Sequence, residues 1–227
     1  MDCDKISIIL PVRNQADHIV EIVEQYIKAI DFIATEFFLI VNGSTDHSIW
    51  QCHALSQRYS NIHIRGFKER GFGLAVKHGL KYAKGNYLCY TNSARTSAED
   101  LKKAIKYAIT NDAVIKTSRR LKEKFLRTLG SMVYNLECRL LFDLYYSDVN
   151  GTPKIWPRKF NKLMNLQSED SLIDLEFCII CQKEKYPVLE MPTFAVKRHG
   201  GKSSTTMALG LNLLWKTFWD RKKLRGV

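Results

Sequence analysis

The sequence predicts a mixed α/β fold in which a mostly parallel central sheet is flanked by helices. Short β-rich apolar runs alternate with longer segments of helical period through the first half of the 227 residues, as in β-α units. The apolar share of 45% and the charged share of 26% are typical of a folded protein. A chain of this length fits one domain, which we assign to residues 1–205, with residues 206–227 as a C-terminal amphipathic basic helix.

Five apolar runs are the predicted strands of the first half. They are ISIIL (6–10), FFLIV (37–41), IHI (62–64), YLCYT (87–91) and AVIKT (113–117). Apolar residues at helical spacing lie between them, as in the face formed by Ile19, Val23 and Ile27. Thr45-Asp46 and Ser97 are predicted caps of two of these helices.

The second half is less regular. A long amphipathic, basic segment occupies residues 119–142, and it interrupts the alternation of strands and helices. A helix around residues 172–184 and a final strand, PVLEMPTF (187–194), are predicted after it. No internal repeat or linker divides the chain.

The charge of the chain is strongly positive, with 35 Lys and Arg against 23 Asp and Glu, a formal net charge of +12. Such a balance favours phosphate-bearing partners such as nucleotides or anionic lipid, with a solvated basic surface as the alternative. No nucleic-acid-binding motif is present, so nucleic acid is not an expected partner. The six cysteines lie mostly inside apolar runs without framework spacing, which indicates reduced core thiols in a cytosolic protein.

The two ends of the sequence favour a cytoplasmic protein. No basic leader with an apolar core precedes ISIIL, and MALGLNLLWKTFW (207–219) is shorter than the roughly 20 residues that span a bilayer. The tail places an apolar stripe ahead of a basic cluster, so it either lies on anionic lipid at the cytosolic membrane face or packs on the domain. The stripe is Leu211, Leu214, Trp215 and Phe218, and the cluster is Arg221, Lys222, Lys223 and Arg225.

Loops that follow the predicted strands are the expected ligand site, because ligands of such sheets bind at the carboxyl ends of the strands. The loops begin with PVRNQ, NGSTD, NSART and SRR. In order, these segments resemble the family-2 glycosyltransferases, in particular the branch of dolichol-phosphate-mannose synthases and polyprenyl-phosphate glycosyltransferases. ISIILPVRNQADHIVEIV, LIVNGSTDHS and ERGFGLAVKHGLKYAKGNYLCYTNSA carry the resemblance, and SRR, SDVNGTPKIWPR and DLEFCIICQKEKYPVLEMPTFAVKRHGGKS continue it to about residue 205.

The resemblance implies a GT-A type nucleotide-diphospho-sugar transferase fold and transfer of a sugar from a nucleotide sugar to a polyprenyl-phosphate or other membrane-associated acceptor. The implied donor-binding residues are Pro11, Arg13, Asn14, Asn42, Gly43, Ser44, Gly71, Thr91, Asn92 and Ser93. The implied catalytic residues are Asp148, Asp174, Arg119 and Arg120. An acceptor loop is implied at Lys154, Arg198, Lys202 and Ser203.

The chain departs from the family pattern where the family carries acids. The Asp-x-Asp pair, which in the family holds a divalent ion on the diphosphate, falls on Thr91 and Ser93, and a hydroxyl is a weak, neutral ligand. Other family acids fall on Gln15, Val41 and Asn42. No metal cofactor is therefore expected, although Mg²⁺ or Mn²⁺ is what the family pattern implies. The nearest cations by loop position are Arg13, Arg95, Arg119 and Arg120.

Three explanations of these departures stay open. The chain is a transferase in which Arg and Lys replace the metal, a non-catalytic domain that serves as a binding or regulatory partner, or a transferase with an unusual donor. Asp174 and Glu176 lie about 200° apart on a helix, so only one faces the cleft, and we expect Asp174 to be that residue. A phosphate acceptor is already an anion and needs no catalytic base. KRHGGKSS (197–204) has the composition of a mobile phosphate-covering loop or of a basic surface turn, with His199 as a polar contact.

Overall fold

The computed structural model of the protein describes residues 4–120, 125–194, 199–200 and 207–226. Within these ranges only the backbone is described for residues 120, 125–129, 194, 207–211 and 225. The strands are β1 (Lys5–Val12), β2 (Ala34–Asn42), β3 (Ile62–Phe67), β4 (Tyr87–Tyr90), β5 (Val114–Arg120), β6 (Lys154–Pro157) and β7 (Val188–Phe194). The helices are α1 (Ile19–Ala29), α2 (Ser48–Arg58), α3 (Phe72–Tyr82), α4 (Ala98–Asn111), α5 (Phe125–Phe142), α6 (Ile173–Lys183), α7 (Met207–Trp219) and α8 (Arg221–Arg225), with a 3₁₀ helix at Asn161–Met164.

The strands form one sheet in the order β3-β2-β1-β4-β6-β5-β7. β6 runs antiparallel to both of its neighbours, β4 and β5, and every other pair is parallel. Six strands therefore end at one edge of the sheet, and β6 begins there. The predicted GT-A-like mixed α/β fold is confirmed.

Two apolar layers cover the two faces of the sheet. Ile6, Ile8 and Leu10 of β1 pack with α1, α2 and α4, whereas Ile9 packs on the other face with α3 and α6. Because strands of a parallel sheet are buried on both faces, they read as continuous apolar runs, and this explains why β1 and β2 were visible in the sequence.

All five predicted strands of the first half and the helices between them are present, with ends that differ by a few residues. Ser97 caps α4 as predicted, since its side chain accepts a hydrogen bond from Asp100 N at 3.0 Å. The N-cap position of α2 is His47, but Asp46 accepts hydrogen bonds from Ser48 N (3.0 Å) and Ser48 Oγ (2.6 Å). Strand β6 was not predicted, because its four residues lie within a segment that carries no clear period.

The C-terminal helices pack on the domain through residues that overlap only in part with the predicted stripe. Leu213, Leu214 and Leu224 pack in a third apolar cluster with α5 and α6. Trp215 and Phe218 are exposed, so the predicted stripe is divided between core and solvent. Among the described residues no helix is long and apolar enough to cross a membrane.

Candidate functional site

The loops predicted to form the site do lie at one edge of the sheet. Val12 of β1 pairs with Val41 of β2, so the loops after these two strands begin side by side. The loop after β4 lies on the other side of β1, where Thr91 N donates to Ile9 O at 3.2 Å. Parallel strand ends of this kind form the usual binding crevice of an α/β sheet.

Polar contacts join the first two loops to each other. Asn14, which has a positive φ of 50°, donates its backbone N–H to Ser44 Oγ (3.1 Å) and accepts from Thr45 N (2.8 Å). Gly43 also has a positive φ, of 60°, and a Cβ there would lie 2.6 Å from Arg70 Cγ. The predicted donor-binding residues Asn14, Gly43 and Ser44 therefore fix the shape of the crevice through hydrogen bonds and close backbone packing.

Hydrogen bonds between neutral groups occupy the positions onto which the resemblance places the carboxylates of the family. Thr91 and Ser93 are fully buried. Thr91 Oγ1 lies 2.7 Å from Thr96 Oγ1, and Ser93 Oγ donates to Gln15 Oε1 at 2.5 Å. Gln15 in turn donates its Nε2 to Pro11 O at 3.4 Å. Positions 15 and 93, both of which the resemblance aligns with acids of the family, are thus direct partners.

These residues do not fit a divalent cation. Mg²⁺ and Mn²⁺ favour ionised oxygen ligands, whereas the groups at positions 91 and 93 are neutral hydroxyls that already have partners. In the described part of the chain no cluster of three His, Cys, Asp or Glu side chains could hold a metal. Any chemistry in this crevice therefore depends on its own side chains.

At the crevice, Arg13 Nε and Asn42 Oδ1 are buried and have no hydrogen-bond partner among the described residues. Asn42 donates its Nδ2 to Gly71 O at 3.0 Å, so the remaining amide atom is an acceptor. Burying an unpaired polar atom costs about 1–3 kcal/mol. A donor and an acceptor left unpaired after adjacent strands indicate a place where a polar ligand completes the hydrogen bonding.

Arg119 and Asp148, predicted separately as catalytic residues, form one ion pair. Arg119 donates to Asp148 from Nε (2.8 Å), from Nη2 (3.1 Å) and from its backbone N (3.1 Å). Although burial raises the pKa of the Asp148 carboxyl, the hydrogen bonds and charge of Arg119 bring it below its ordinary value. The positive charge of Arg119, one of the cations nearest to the crevice by loop position, is therefore paired with Asp148 in the structure.

Asp174 and Lys154 form a second, more deeply buried pair. The Lys154 ammonium donates to Asp174 Oδ1, and Tyr90 OH donates to the same oxygen at 2.9 Å. Lys154 is the first residue of β6 and is fully buried, so its predicted place in an acceptor loop is wrong. Asp174 lies beneath the crevice with its carboxylate bound by these two donors, and Glu176 faces elsewhere, accepting from Gln167 N (2.6 Å) and Ser168 N (2.7 Å).

Three consecutive residues before β6 are held by charged groups. Ser147 N donates to both oxygens of Glu190 at 3.1 Å, and Glu190 pairs with Lys116 at 2.7 Å. Asp148 is held by Arg119, and Val149 O accepts from Lys154 at 3.0 Å. The pair of Lys116 and Glu190 was not predicted from the sequence. The signal for it was the lysine within the apolar run AVIKT (113–117), since a buried lysine needs a partner.

Residues 199–200 lie against the crevice loops. His199 N donates to Ala94 O at 3.0 Å, and its Nε2 lies 3.3 Å from Thr96 O, so the predicted polar contact is confirmed. A Cβ on Gly200 would lie 2.6 Å from both Asp17 Oδ2 and His18 Nδ1. The predicted residues Arg198, Lys202 and Ser203 lie outside the described residues, as does the side chain of Arg120.

Comparison with known proteins places the chain in a family of glycosyl transferases. The family model described as glycosyl transferase family 2 matches residues 7–175. Glycosyltransferase GlyG of Streptococcus pneumoniae is 29% identical over 89 residues, which are 39% of this chain and 29% of that protein. A dolichol-phosphate mannosyltransferase of Pyrococcus furiosus is 29% identical over 82 residues, 36% of this chain and 23% of that protein. The match thus spans less than a third of the length of either relative.

The fold is shared with glucosyl-3-phosphoglycerate synthase of Mycobacterium tuberculosis. Its complex with Mn²⁺, uridine-diphosphate-glucose and phosphoglyceric acid superposes with a TM-score of 0.76 and 13% identity, covering 99% of this chain and 80% of that one. Its complex with Mn²⁺, uridine diphosphate and phosphoglyceric acid gives a TM-score of 0.74 and 14% identity, covering 96% and 78%.

Proposed function

The chain belongs to glycosyl transferase family 2, and on that premise we propose that it transfers a sugar from a nucleotide-sugar donor to a phosphorylated acceptor, using cationic side chains in place of an Asp-x-Asp-bound metal. The observation that carries the proposal is the unpaired donor and acceptor at the crevice, Arg13 Nε and Asn42 Oδ1. A bound nucleotide sugar would give each of these atoms a hydrogen-bond partner. A protein that bound nothing in this crevice would gain nothing from burying two unpaired polar atoms there.

Charge explains how transfer proceeds without a metal. When the glycosidic bond breaks, the departing nucleoside diphosphate gains negative charge, and nearby cations stabilise it. Arg13 follows β1, Arg70 packs over Gly43 after β2, and Arg95 follows β4, so all three belong to the loops that line the crevice. Positions 15, 91 and 93, onto which the resemblance places acids of the family, carry neutral side chains in this chain.

The proposed acceptor is a phosphate monoester, with a polyprenyl phosphate as the preferred member of that class. A phosphate oxygen is already anionic and attacks the anomeric carbon directly, so no side chain has to remove a proton. This agrees with the crevice, because Asp148 and Asp174 are both engaged by basic side chains. The matching relative is named for a dolichol phosphate, and the M. tuberculosis enzyme is seen with phosphoglyceric acid.

A non-catalytic binding domain is the second candidate function. It is favoured by the internally satisfied pairs of Ser93 with Gln15 and Thr91 with Thr96, which are what a crevice without a metal needs for stability. Such a domain would still bind a nucleotide or nucleotide sugar, but it would release no nucleoside diphosphate.

A thermal-shift panel tests the proposal. UDP, GDP, UDP-glucose and GDP-mannose are each added with chelator or with Mn²⁺, and release of nucleoside diphosphate is then measured with an added prenyl phosphate. We expect one nucleotide class to raise Tm equally in both conditions and to turn over. Binding without turnover supports the non-catalytic domain, and absence of any shift contradicts both functions.

A further inference from the structure

Exposed apolar side chains are concentrated on two helices. Thirteen large hydrophobic side chains are exposed in the described part of the chain, and seven of them lie on α5 and α7. On α5 they are Met132, Val133, Leu136 and Leu140, and on α7 they are Trp215, Phe218 and Trp219. Single exposed hydrophobic residues are ordinary, but a contiguous group marks an interaction surface.

On α5 these side chains form one outward stripe. At 100° per residue the four exposed positions fall within an arc of about 100°, roughly opposite Tyr134 and Cys138, which are buried. Leu140 is 73% exposed although the helix packs well on its other side. The outward stripe is therefore a second apolar face, in addition to the face that joins the core.

On α7 the exposed side chains are aromatic and touch one another. The ring centroids of Trp215 and Trp219 lie 5.3 Å apart, and those of Phe218 and Trp219 lie 6.0 Å apart. Helices α5 and α7 contact each other and share the third apolar cluster, so their exposed residues belong to one region, here called the two-helix surface.

A basic cluster borders the two-helix surface. Residues 216–225 hold five Lys or Arg and one Asp. The Arg221 guanidinium lies 4.1 Å from the centroid of the Phe218 ring, and Lys222 and Lys223 are exposed. Trp and Phe beside Lys and Arg are typical of a helix that lies in the interface of an anionic membrane.

The chain path brings this surface close to the crevice. β5 and β7 are parallel neighbours, with Arg119 paired to Thr193, so both strands end at the crevice edge. α5 begins five residues after β5, and α7 is the first described helix after β7. Asn135 of α5 accepts a hydrogen bond from Val149 N at 2.9 Å, next to Asp148, so the helix that carries the outward stripe contacts the proposed site.

We propose that the two-helix surface seats the protein on an anionic lipid membrane, with the crevice beside the headgroup layer. A second copy is the other possible occupant, but a two-fold interface sets the same patch against itself and would bring two basic clusters together. An anionic membrane instead offers opposite charge to the cluster and an apolar layer to the aromatic rings. The orientation of the crevice rests on the proposed sugar transfer to a lipid phosphate, whereas membrane binding itself does not.

Vesicle flotation of the full chain, without nucleotide, tests this inference. We expect binding to phosphatidylglycerol-containing vesicles, weaker binding to phosphatidylcholine vesicles, and weakening with salt. Trp215→Ser with Phe218→Ser on α7, and separately Leu136→Ser with Leu140→Ser on α5, should each reduce partitioning by about tenfold or more. Both pairs are exposed, so circular dichroism and Tm should show a retained fold.

Trp50→Ser is the matched control, since Trp50 on α2 is 71% exposed and lies outside the two-helix surface. Equal loss in this control, or unchanged partitioning in both folded double variants, would overturn the inference. So would sedimentation showing that the double variants dissociate a dimer, since a second copy would then cover the surface. Donor binding is measured separately by the thermal-shift panel, so failure of the proposed function and failure of membrane binding are distinguishable.

Discussion

Ser93 and Gln15, which lie 78 residues apart in the chain, are joined by a hydrogen bond of 2.5 Å between two buried side chains. Each stands where the family pattern has an acid, and each supplies what the other needs, a hydroxyl hydrogen and an amide oxygen. A carboxylate at position 15 could still accept the hydrogen bond from Ser93, but two carboxylates at positions 15 and 93 would repel each other unless a cation lay between them. With neutral side chains at both positions, this contact needs no cation between them.

Restoring the acids should restore a metal response at a cost in stability. Thr91→Asp with Ser93→Asp places carboxylates in buried positions, so we expect the free energy of unfolding to fall by about 1–3 kcal/mol. Mn²⁺ should raise the Tm of this variant and leave that of the natural protein unchanged, as thermal denaturation with Mn²⁺ or chelator will show. Asn111→Asp, an exposed amide-to-acid change, is the control. A Mn²⁺-dependent rise in the natural protein would contradict the prediction.

Arg13 should contribute to ligand binding more than to stability. Its Nε has no partner in the described part of the chain, so Arg13→Gln removes an unsatisfied donor and should leave Tm unchanged or slightly higher. The same change should weaken UDP binding by about tenfold or more in isothermal titration, because a charge-assisted hydrogen bond contributes about 1.5–3 kcal/mol. Arg58→Gln, on a surface ion pair with Glu24, is the matched control and should bind UDP normally. Equal affinity of both variants would remove Arg13 from the site.

The buried pair of Lys154 and Asp174 should behave as one unit. Asp174→Asn leaves the Lys154 ammonium buried without a counter-charge, so we expect a loss of about 3–5 kcal/mol in the free energy of unfolding. Lys154→Met with Asp174→Leu removes both charges and should cost less than the single change. Urea denaturation of Lys154→Met, Asp174→Leu and the double variant gives the coupling free energy, and strictly additive losses would show that the pair does not interact.

Long elements with a clear period were predictable from the sequence, and short ones were not. β1 and α1 are revealed by continuous and by 3.6-residue apolar patterns, which depend only on local burial. β6 has only four residues, and it is a strand because it pairs with β4 and β5 in the folded chain, which no local pattern reveals. The two apolar faces of α5 were also ambiguous, since periodicity shows that a face is apolar but not what covers it.

The position of the site followed from topology, whereas its internal pairing required the folded chain. Strand order places the loops of Arg13, Asn42 and Thr91 at one edge, and a parallel sheet makes that inference safe. Which side chains pair with each other depends on small differences in distance between segments that are far apart in the sequence. The sequence therefore predicted that Arg119 lies near the site, but its ion pair with Asp148 became apparent only in the structure.

The pair of Arg119 and Asp148 should set part of the acid stability of the protein. The pKa of Asp148 lies below its ordinary value of 3.8, so the stability it contributes is present above about pH 4 and is lost as pH falls through the lowered pKa. Asp148→Asn removes this contribution, and we expect it to cost about 1–3 kcal/mol at neutral pH and progressively less in acid.

Arg119→Met tests the cause of the shift. Burial still raises the pKa of Asp148 in this variant, while the hydrogen bonds and charge of the guanidinium, which lower it, are lost. The pKa should therefore be higher than in the natural protein, and the loss of stability in acid should begin at higher pH. The double variant, Arg119→Met with Asp148→Asn, should follow the pH profile of Asp148→Asn, because no titrating carboxyl remains at position 148. Urea denaturation at a series of pH values measures all four proteins. The pKa of the Glu190 carboxyl is also lowered, so the pH profile of each variant is compared with that of the natural protein. An unchanged limb in Arg119→Met would show that the guanidinium does not govern this carboxyl.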